Sequence, residues 1–300
     1  MDRKMPADSQ IATPPSGQAD DVWTIRRILD WTTAYLKKHG SESARLDAEI
    51  LLAHTRGCKR IDLYTRYDEP LSETQRSTMR ELVKRRANAE PVAYLVGYKE
   101  FYSLRFRVTP AVLIPRPETE TLVLEAVELA KASPKESMVL LDLCTGSGCI
   151  AVAVAKASGK FQIIATDHSE AALAIARENA DRHGVEIEFR QGDLFDAVPD
   201  DATFDVILSN PPYVAEGEFL PPDIRRHEPA SALLAGPEGL DVLRRLVAEA
   251  PARLNTGGHL LVELDPQQAG PVAELLRPNF REVRSVKDLA GHVRVIHAMK

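Results

Sequence analysis

The hydrophobic pattern divides the chain into two parts with different rhythms. From Val22 to about Glu90 the apolar positions recur at helical spacing. Ile25, Ile28, Leu29 and Leu36 share one face with Thr32, and Gly40 ends the run. Residues 43–52 form a second amphipathic helix, closed near Gly57. Ser72 caps a third, which runs from Glu73 to about Ala89 and stops before Pro91. This predicts a helical bundle of about seventy residues, a size that is marginal alone and stable when docked. It carries no catalytic constellation, so its expected work is recognition or packing.

Beyond Pro91 the period changes. Leu104-Arg105-Phe106-Arg107-Val108 alternates apolar and basic residues, which predicts a strand or hairpin within a linker over residues 91–110. Pro117, flanked by Glu118 and Glu120, suits the first turn of a helix reaching about Ala132. Short apolar runs at 139–143, 162–166, 187–191, 204–209 and 259–263 read as buried strands. Helical patterns at 150–157, 170–183 and 240–254 lie between them, and a helix over 271–276 with strands near Val283 and at 292–298 completes the chain. Strands alternating with helices predict an α/β fold with a parallel, doubly wound sheet. The expected organisation is a disordered tail over 1–21, a helical domain over 22–90, the linker, and a sheet domain over 111–300.

Composition narrows the setting. No apolar run approaches the ~18 residues of a membrane span, and the proline- and serine-containing first twenty residues lack the apolar core of a secretion signal. Three cysteines, Cys58, Cys144 and Cys149, include no Cys-x-x-Cys pair, which points to a reducing, cytoplasmic setting without disulfides or zinc. The net charge of −6 argues against a stable nucleic-acid partner. It is uneven: the first hundred residues hold 17 basic and 15 acidic side chains, the remainder 21 and 29. A mildly basic front on an acidic body fits a protein partner, and a monomer without membrane attachment is expected.

Two loops carry the candidate chemistry. The first, Asp142-Leu143-Cys144-Thr145-Gly146-Ser147-Gly148-Cys149, joins a strand to a helix, and its glycines allow a tight turn close to a ligand. Asp167 ends the next strand about 20 residues on, where dinucleotide folds place a carboxylate against ribose hydroxyls. Asp193 and Leu194 end the third strand, offering a carboxylate to an adenine amine and an apolar face to its ring. The third glycine of a dinucleotide fingerprint is absent; Ala151 stands there.

The second loop, Asn210-Pro211-Pro212-Tyr213, follows the fourth strand. Prolines have no backbone N–H and restrict the residue before them. The loop is therefore stiff and rich in acceptors, chiefly the Asn210 side-chain oxygen and the Pro211 carbonyl. Two adjacent acceptors suit a planar amine with two donors, and the Tyr213 ring offers a stacking face. A proline-stiffened turn with a local Asx hydrogen bond is the alternative reading. Arg116 is either a surface charge or a group facing the ligand; His168 reads as a surface residue.

Together these loops resemble the class I S-adenosylmethionine-dependent methyltransferases, which implies a Rossmann-like mixed sheet with helices on both faces, here preceded by a small helical bundle. The chain over about residues 25–298 further resembles the release factor N5-glutamine methyltransferases of the HemK/PrmC type. The resemblance rests on Pro91-Val92-Ala93-Tyr94-Leu95, Leu113-Ile114-Pro115-Arg116-Pro117-Glu118-Thr119-Glu120, the Asn210 loop, and Glu228-Pro229 with Gly236 and Gly239-Leu240. It implies S-adenosylmethionine as methyl donor, held by Cys144, Thr145, Gly146, Ser147, Gly148, Asp167 and Leu194, with Asn210 touching it. It also implies class I peptide chain release factors as partners, the glutamine of their Gly-Gly-Gln loop gripped by Asn210, Pro211, Pro212 and Tyr213. Asn210, Pro211 and Tyr213 are then the catalytic set. Adenine-N6 nucleic-acid methyltransferases share the Asn-Pro-Pro-Tyr loop, and a ribosomal-protein glutamine is a further alternative substrate. Departures from the family pattern are Cys144 in place of glycine, His227 in place of an aromatic, Glu263-Leu264-Asp265 in place of Glu-x-Gly, and the segment Gly291-His292-Val293-Arg294.

Overall fold

The computed structural model describes residues 22–300, so the tail expected over 1–21 lies outside the described residues. The chain separates into two compact units, one ending at Asn88 and the other running from Ala89 to Lys300.

The first unit holds α1 (Ile25–Lys38), α2 (Ala44–Arg56), α3 (Arg60–Thr65) and α4 (Glu73–Ala87). Thr24 accepts from the Arg27 N–H at the start of α1, and Ser72 with Gln75 forms a reciprocal capping box on α4. Ile25, Leu29 and Leu36 of α1 are buried, as are Leu51 and Leu52 of α2 and Met79 and Val83 of α4. The unit also buries two carboxylates, each with its own partners. Asp47 accepts from Arg86 at 2.7 Å and from Ser41 and Ser43 at 2.8 Å. Glu49 accepts from Arg45 and Arg60 and from the Tyr64 hydroxyl. Removing one member of either group would strand a buried charge, which makes both determinants of helix register.

The second unit opens with α5 (Val92–Val96), a turn of helix ended by Gly97 in the left-handed region. The expected hairpin follows as β1 (Tyr98–Phe101) and β2 (Leu104–Arg107). Its two turn residues, Tyr102 and Ser103, both have positive φ, the twist that a two-residue antiparallel turn requires. After a turn at Pro117–Thr119 come α6 (Glu120–Ala132), β3 (Met138–Leu143), α7 (Cys149–Ala157), β4 (Phe161–Asp167), α8 (Glu170–His183) and β5 (Glu188–Gln191). Then follow β6 (Phe204–Ser209), α9 (Pro222–His227), α10 (Asp241–Arg253), β7 (Leu254–Glu263), α11 (Ala269–Leu276), β8 (Glu282–Lys287) and β9 (Val293–Met299).

The seven-stranded sheet has the order β5-β4-β3-β6-β7-β9-β8. The first five are parallel to their neighbours, while β9 runs against β7 and β8 against β9, so the sheet is mixed. Successive side chains on the central strands enter different cores. Leu140, Val206, Leu208 and Leu261 join the core with α6, α7 and α8; Leu141, Ile207, Leu260 and Val262 join the one with α10 and α11. The strand order reverses between β3 and β6. That switch point opens a crevice at their carboxyl ends, where open α/β sheets hold ligands.

Candidate functional site

A cavity of about 420 Å³ opens at this switch point. Its floor is the turn between β3 and α7. Asp142, fully buried at the end of β3, accepts from the Thr145 hydroxyl at 2.6 Å, while its other oxygen has no hydrogen-bond partner. Burial pushes the Asp142 carboxyl up to about 7, against the pull of that hydroxyl. The Thr145 N–H donates to the Thr166 carbonyl at 2.9 Å and pins the turn to β4. Cys144, Gly146 and Gly148 all have positive φ. A Cβ placed on Gly146 would meet nothing within 4 Å, so this backbone faces open cavity. On Gly148 it would meet the Cβ of Ala176 at 3.1 Å; that glycine serves the close approach of α7 to α8.

Asp167 forms the neighbouring wall. One carboxylate oxygen accepts from the Gly146 N–H and the other from the Ser169 N–H, both at 2.9 Å. This binds the end of β4 to the glycine turn and leaves further lone pairs on each oxygen. Asp193 lines the cavity while accepting from Arg245 at 2.8 Å, and Leu194, buried with φ +50°, presents its side chain beside it.

The opposite wall is the loop after β6. The Ser209 hydroxyl donates to the Leu143 carbonyl at 2.7 Å and locks β6 to β3 just before it. The Asn210 side-chain nitrogen donates to the Thr119 hydroxyl oxygen at 3.2 Å. Among the described residues nothing donates to its side-chain oxygen or to the Pro211 carbonyl. Asn210, Pro212 and Thr119 line the cavity. A rim segment from Glu228 to Leu234 is fastened at both ends. Glu228, buried, accepts from the Ile114 N–H at 3.1 Å and from Arg116 at 2.5 Å, and Val214 pairs with Leu234. Arg116 lines the cavity and is paired with Glu228.

The glycine turn, Asp167, Leu194, Asn210 and Pro212 thus meet around one cavity, as their motif spacing predicts. Pro211, Tyr213 and Gly148 stand outside its lining. Tyr213 packs its ring against the core beneath α10 and α11, and its carbonyl accepts from Gln268 at 2.9 Å. That placement differs from the expected stacking face: the ring packs on the core near the end of β7 and is absent from the cavity lining. Burial, with the Glu263 carboxylate beside it, raises the Tyr213 phenol. His168, more than half exposed, also lines the cavity.

Two family models match the chain: the PrmC N-terminal domain over residues 27–97 and the methyltransferase small domain over residues 121–222. The chain is 50% identical over 289 residues to the release factor glutamine methyltransferase of Rhodopirellula baltica, covering 94% of this chain and 98% of that protein. This chain belongs to the release factor glutamine methyltransferase family. Its likeness to the family member from Geobacter sulfurreducens is 43% over 92% of this chain and 96% of that protein. Solved structures share the fold at lower identity. The catalytic domain of hMettl16 in complex with an RNA hairpin aligns with TM-score 0.55 at 15% identity, over 71% of this chain and 82% of that one. A T. Thermophilus 16S rRNA methyltransferase in complex with AdoMet and guanosine aligns with TM-score 0.51 at 21% identity, over 68% of this chain and 49% of that one.

The cavity has the features that S-adenosylmethionine, the family's methyl donor, demands: an open glycine backbone, a carboxylate with spare lone pairs, and an apolar wall at Leu194. The sequence reading passed over Thr119 and Glu263 as site residues. Thr119 lies inside a quoted motif, and Glu263 follows the apolar Leu260-Leu261-Val262; tertiary structure brings Thr119 to Asn210 and, through the pairing of Ser209 with Val262, sets Glu263 on the neighbouring strand.

Proposed function

We propose that this chain transfers a methyl group from S-adenosylmethionine to the side-chain amide nitrogen of the glutamine in the Gly-Gly-Gln loop of class I peptide chain release factors. The observation that carries the reading is the side-chain oxygen of Asn210, a residue that lines a cofactor-sized cavity. Among the described residues nothing donates to that oxygen, nor to the neighbouring Pro211 carbonyl just outside the lining. The substrate follows the name of the curated relatives, release factor glutamine methyltransferase.

An amide nitrogen is a weak nucleophile because its lone pair is delocalised into the carbonyl. The bound cofactor supplies an electrophilic methyl group on sulfonium. Cys144, Thr145, Gly146 and Ser147 would hold it, with Asp167 available to its ribose hydroxyls and Leu194 to its adenine. Gly148 supports the turn from behind. Asn210 and the Pro211 carbonyl accept the two amide hydrogens and fix the direction of the nitrogen lone pair. As positive charge grows on nitrogen, these fixed acceptors stabilise it without reorganising. Pro212 keeps the loop rigid, and Tyr213 anchors it from the core side. As the sulfur–methyl bond breaks and the nitrogen–methyl bond forms, the nitrogen gives up one proton, which restores the neutral amide. Proximity supplies several kcal/mol of the rate enhancement.

The helical unit up to Asn88 and the rim between Glu228 and Leu234 are assigned to holding the release factor. The protein acts as a cytoplasmic monomer without stable nucleic-acid contacts. Mass spectrometry of a release factor incubated with enzyme and labelled S-adenosylmethionine tests the reading. One added methyl group on the Gly-Gly-Gln glutamine is expected. Labelling of a ribosomal-protein glutamine or of adenine instead would overturn it.

A further inference from the structure

Glu263 is the last residue of β7, fully buried, and among the described residues neither of its oxygens has a hydrogen-bond partner of ordinary length and angle. A buried carboxylate without partners costs several kcal/mol, so its position calls for a reason. In the parallel pairing of β6 and β7, Val262 lies opposite Ser209, which sets Glu263 beside Asn210, and the Thr119 and Tyr213 hydroxyls lie near enough to favour its charged form. Thr119 is itself buried, and its oxygen already accepts from the Asn210 side-chain nitrogen. A threonine hydroxyl has one hydrogen and two lone pairs. With one lone pair on Asn210, its hydrogen is free to point at Glu263.

We propose that Glu263 is a positioning residue that sets the direction of a buried relay, from Asn210 to Thr119 to Glu263, and thereby turns the Asn210 side-chain oxygen toward the substrate. A carboxylate only accepts, so the Thr119 hydroxyl must donate to it, and Thr119 can then only accept from Asn210. The carboxamide nitrogen is drawn to Thr119 and the oxygen is left for the amide hydrogens of glutamine. Without the carboxylate, Thr119 could equally donate to Asn210 and turn its nitrogen outward, where it would repel the substrate's N–H groups. The inference rests on the reading of Asn210 as acceptor of the substrate amide.

The groups around Glu263 fit a carboxyl that spends time as the anion near neutrality. Burial, with Glu118 beside it, pushes it up to about 7, against the opposing pull of Thr119, Arg294 and Tyr213. Cys149 also faces it; burial pushes that thiol up to about 12, so it adds no charge.

The test compares full-length wild type with Thr119→Val, Thr119→Ser, Glu263→Gln and the Thr119→Val/Glu263→Gln double variant, measuring kcat, KM for the release factor and calorimetric affinity for S-adenosylmethionine. Thr119→Val should lower kcat by ~10-fold or more with KM and cofactor affinity within a few-fold, and Thr119→Ser should restore it. A carboxamide at position 263 can present a donor or an acceptor, so Glu263→Gln should lower kcat several-fold. In the double variant the loss should equal that of Thr119→Val alone, because Glu263 acts through that hydroxyl. Multiplicative losses, or a Thr119→Ser variant as slow as Thr119→Val, would refute the relay. Should Thr119→Val fail to fold, an unchanged kcat in Glu263→Gln refutes it equally. Asn210→Ala separates the two claims. If it stays active, the acceptor reading itself is wrong; if it is inactive while Thr119→Val and Glu263→Gln are not, only the relay fails.

Discussion

At the scale of single residues, the cofactor turn concentrates its strain and its chemistry in a few positions. Asp167 spends one oxygen on Gly146 and the other on Ser169, so it shapes the turn as well as offering lone pairs to a ligand. Asp167→Ala is expected to weaken S-adenosylmethionine binding by ~10-fold or more, the scale of a lost charged hydrogen bond, as read by calorimetry. Asn210→Ala should abolish methyl transfer while leaving cofactor affinity within a few-fold, since the lost group acts on the reacting amide. Cys144 takes a left-handed conformation at φ +60° that glycine would hold at lower cost. Burial, with Asp167 nearby, pushes its thiol up to about 12, and burial does the same for Cys149. Neither is a nucleophile at neutral pH. In the folded protein at pH 8, iodoacetamide should modify the half-buried Cys58 first, the equally half-buried Cys144 with its raised thiol more slowly, and the buried Cys149 only on unfolding, as peptide mass spectrometry would show.

At the scale of elements, the strands and long helices of the second unit follow the apolar periodicity closely, and the short pieces do not. The α3 and α5 helices are single turns of six and five residues, too short to complete a periodic signal. The α9 helix, Pro222–His227, buries no residue at all, so it has no apolar stripe to read. β7 starts at Leu254, five residues before the apolar run at His259, because its first part crosses a register shift opposite β6. Close approach between elements also sets the Asn210 loop. Gly239 has φ +69°, and a Cβ there would run into the Tyr213 carbonyl. Gly239→Ala should therefore displace the segment behind Asn210 and reduce kcat more than it reduces cofactor affinity. Calorimetry and turnover measured on the same preparation would separate the two effects.

At the scale of the whole molecule, three ionisable groups tie the second unit's stability to pH. Glu263, ordinarily near 4.5, and Asp142, ordinarily near 3.8, are both pushed up to about 7 by burial. In each case the folded state holds its proton more tightly than the unfolded chain. Their contribution to stability is therefore full at low pH and is lost as pH rises from the unfolded value through about 7. His297 opposes them: burial, with Arg284 and His259 beside it, lowers it to about 4, so folding becomes less favourable as pH falls below the ordinary histidine range. Glu263→Gln removes one of the rising costs. Its melting temperature relative to wild type should increase between pH 5 and pH 7.5, by an amount corresponding to at most about 3 kcal/mol. A flat difference across that range would show that Glu263 does not titrate there. The helical unit supplies the other test at this scale. A chain beginning at Ala89 should still bind S-adenosylmethionine but methylate a whole release factor far more slowly, once cooperative melting has been verified for both chains.

The sequence by itself determined the order of elements, because alternation and helical spacing are local consequences of burying one face. It determined the two loops as well, since glycine and proline constrain the backbone wherever they stand. Tertiary structure decided which of those residues face one cavity. Tyr213 adjoins Asn210 in the chain but turns into the core, while Thr119, ninety-one positions away, reaches Asn210. It also decided the state of Asp142 and Glu263. Desolvation depends on everything packed around a carboxyl, and that environment comes from segments far apart in the chain.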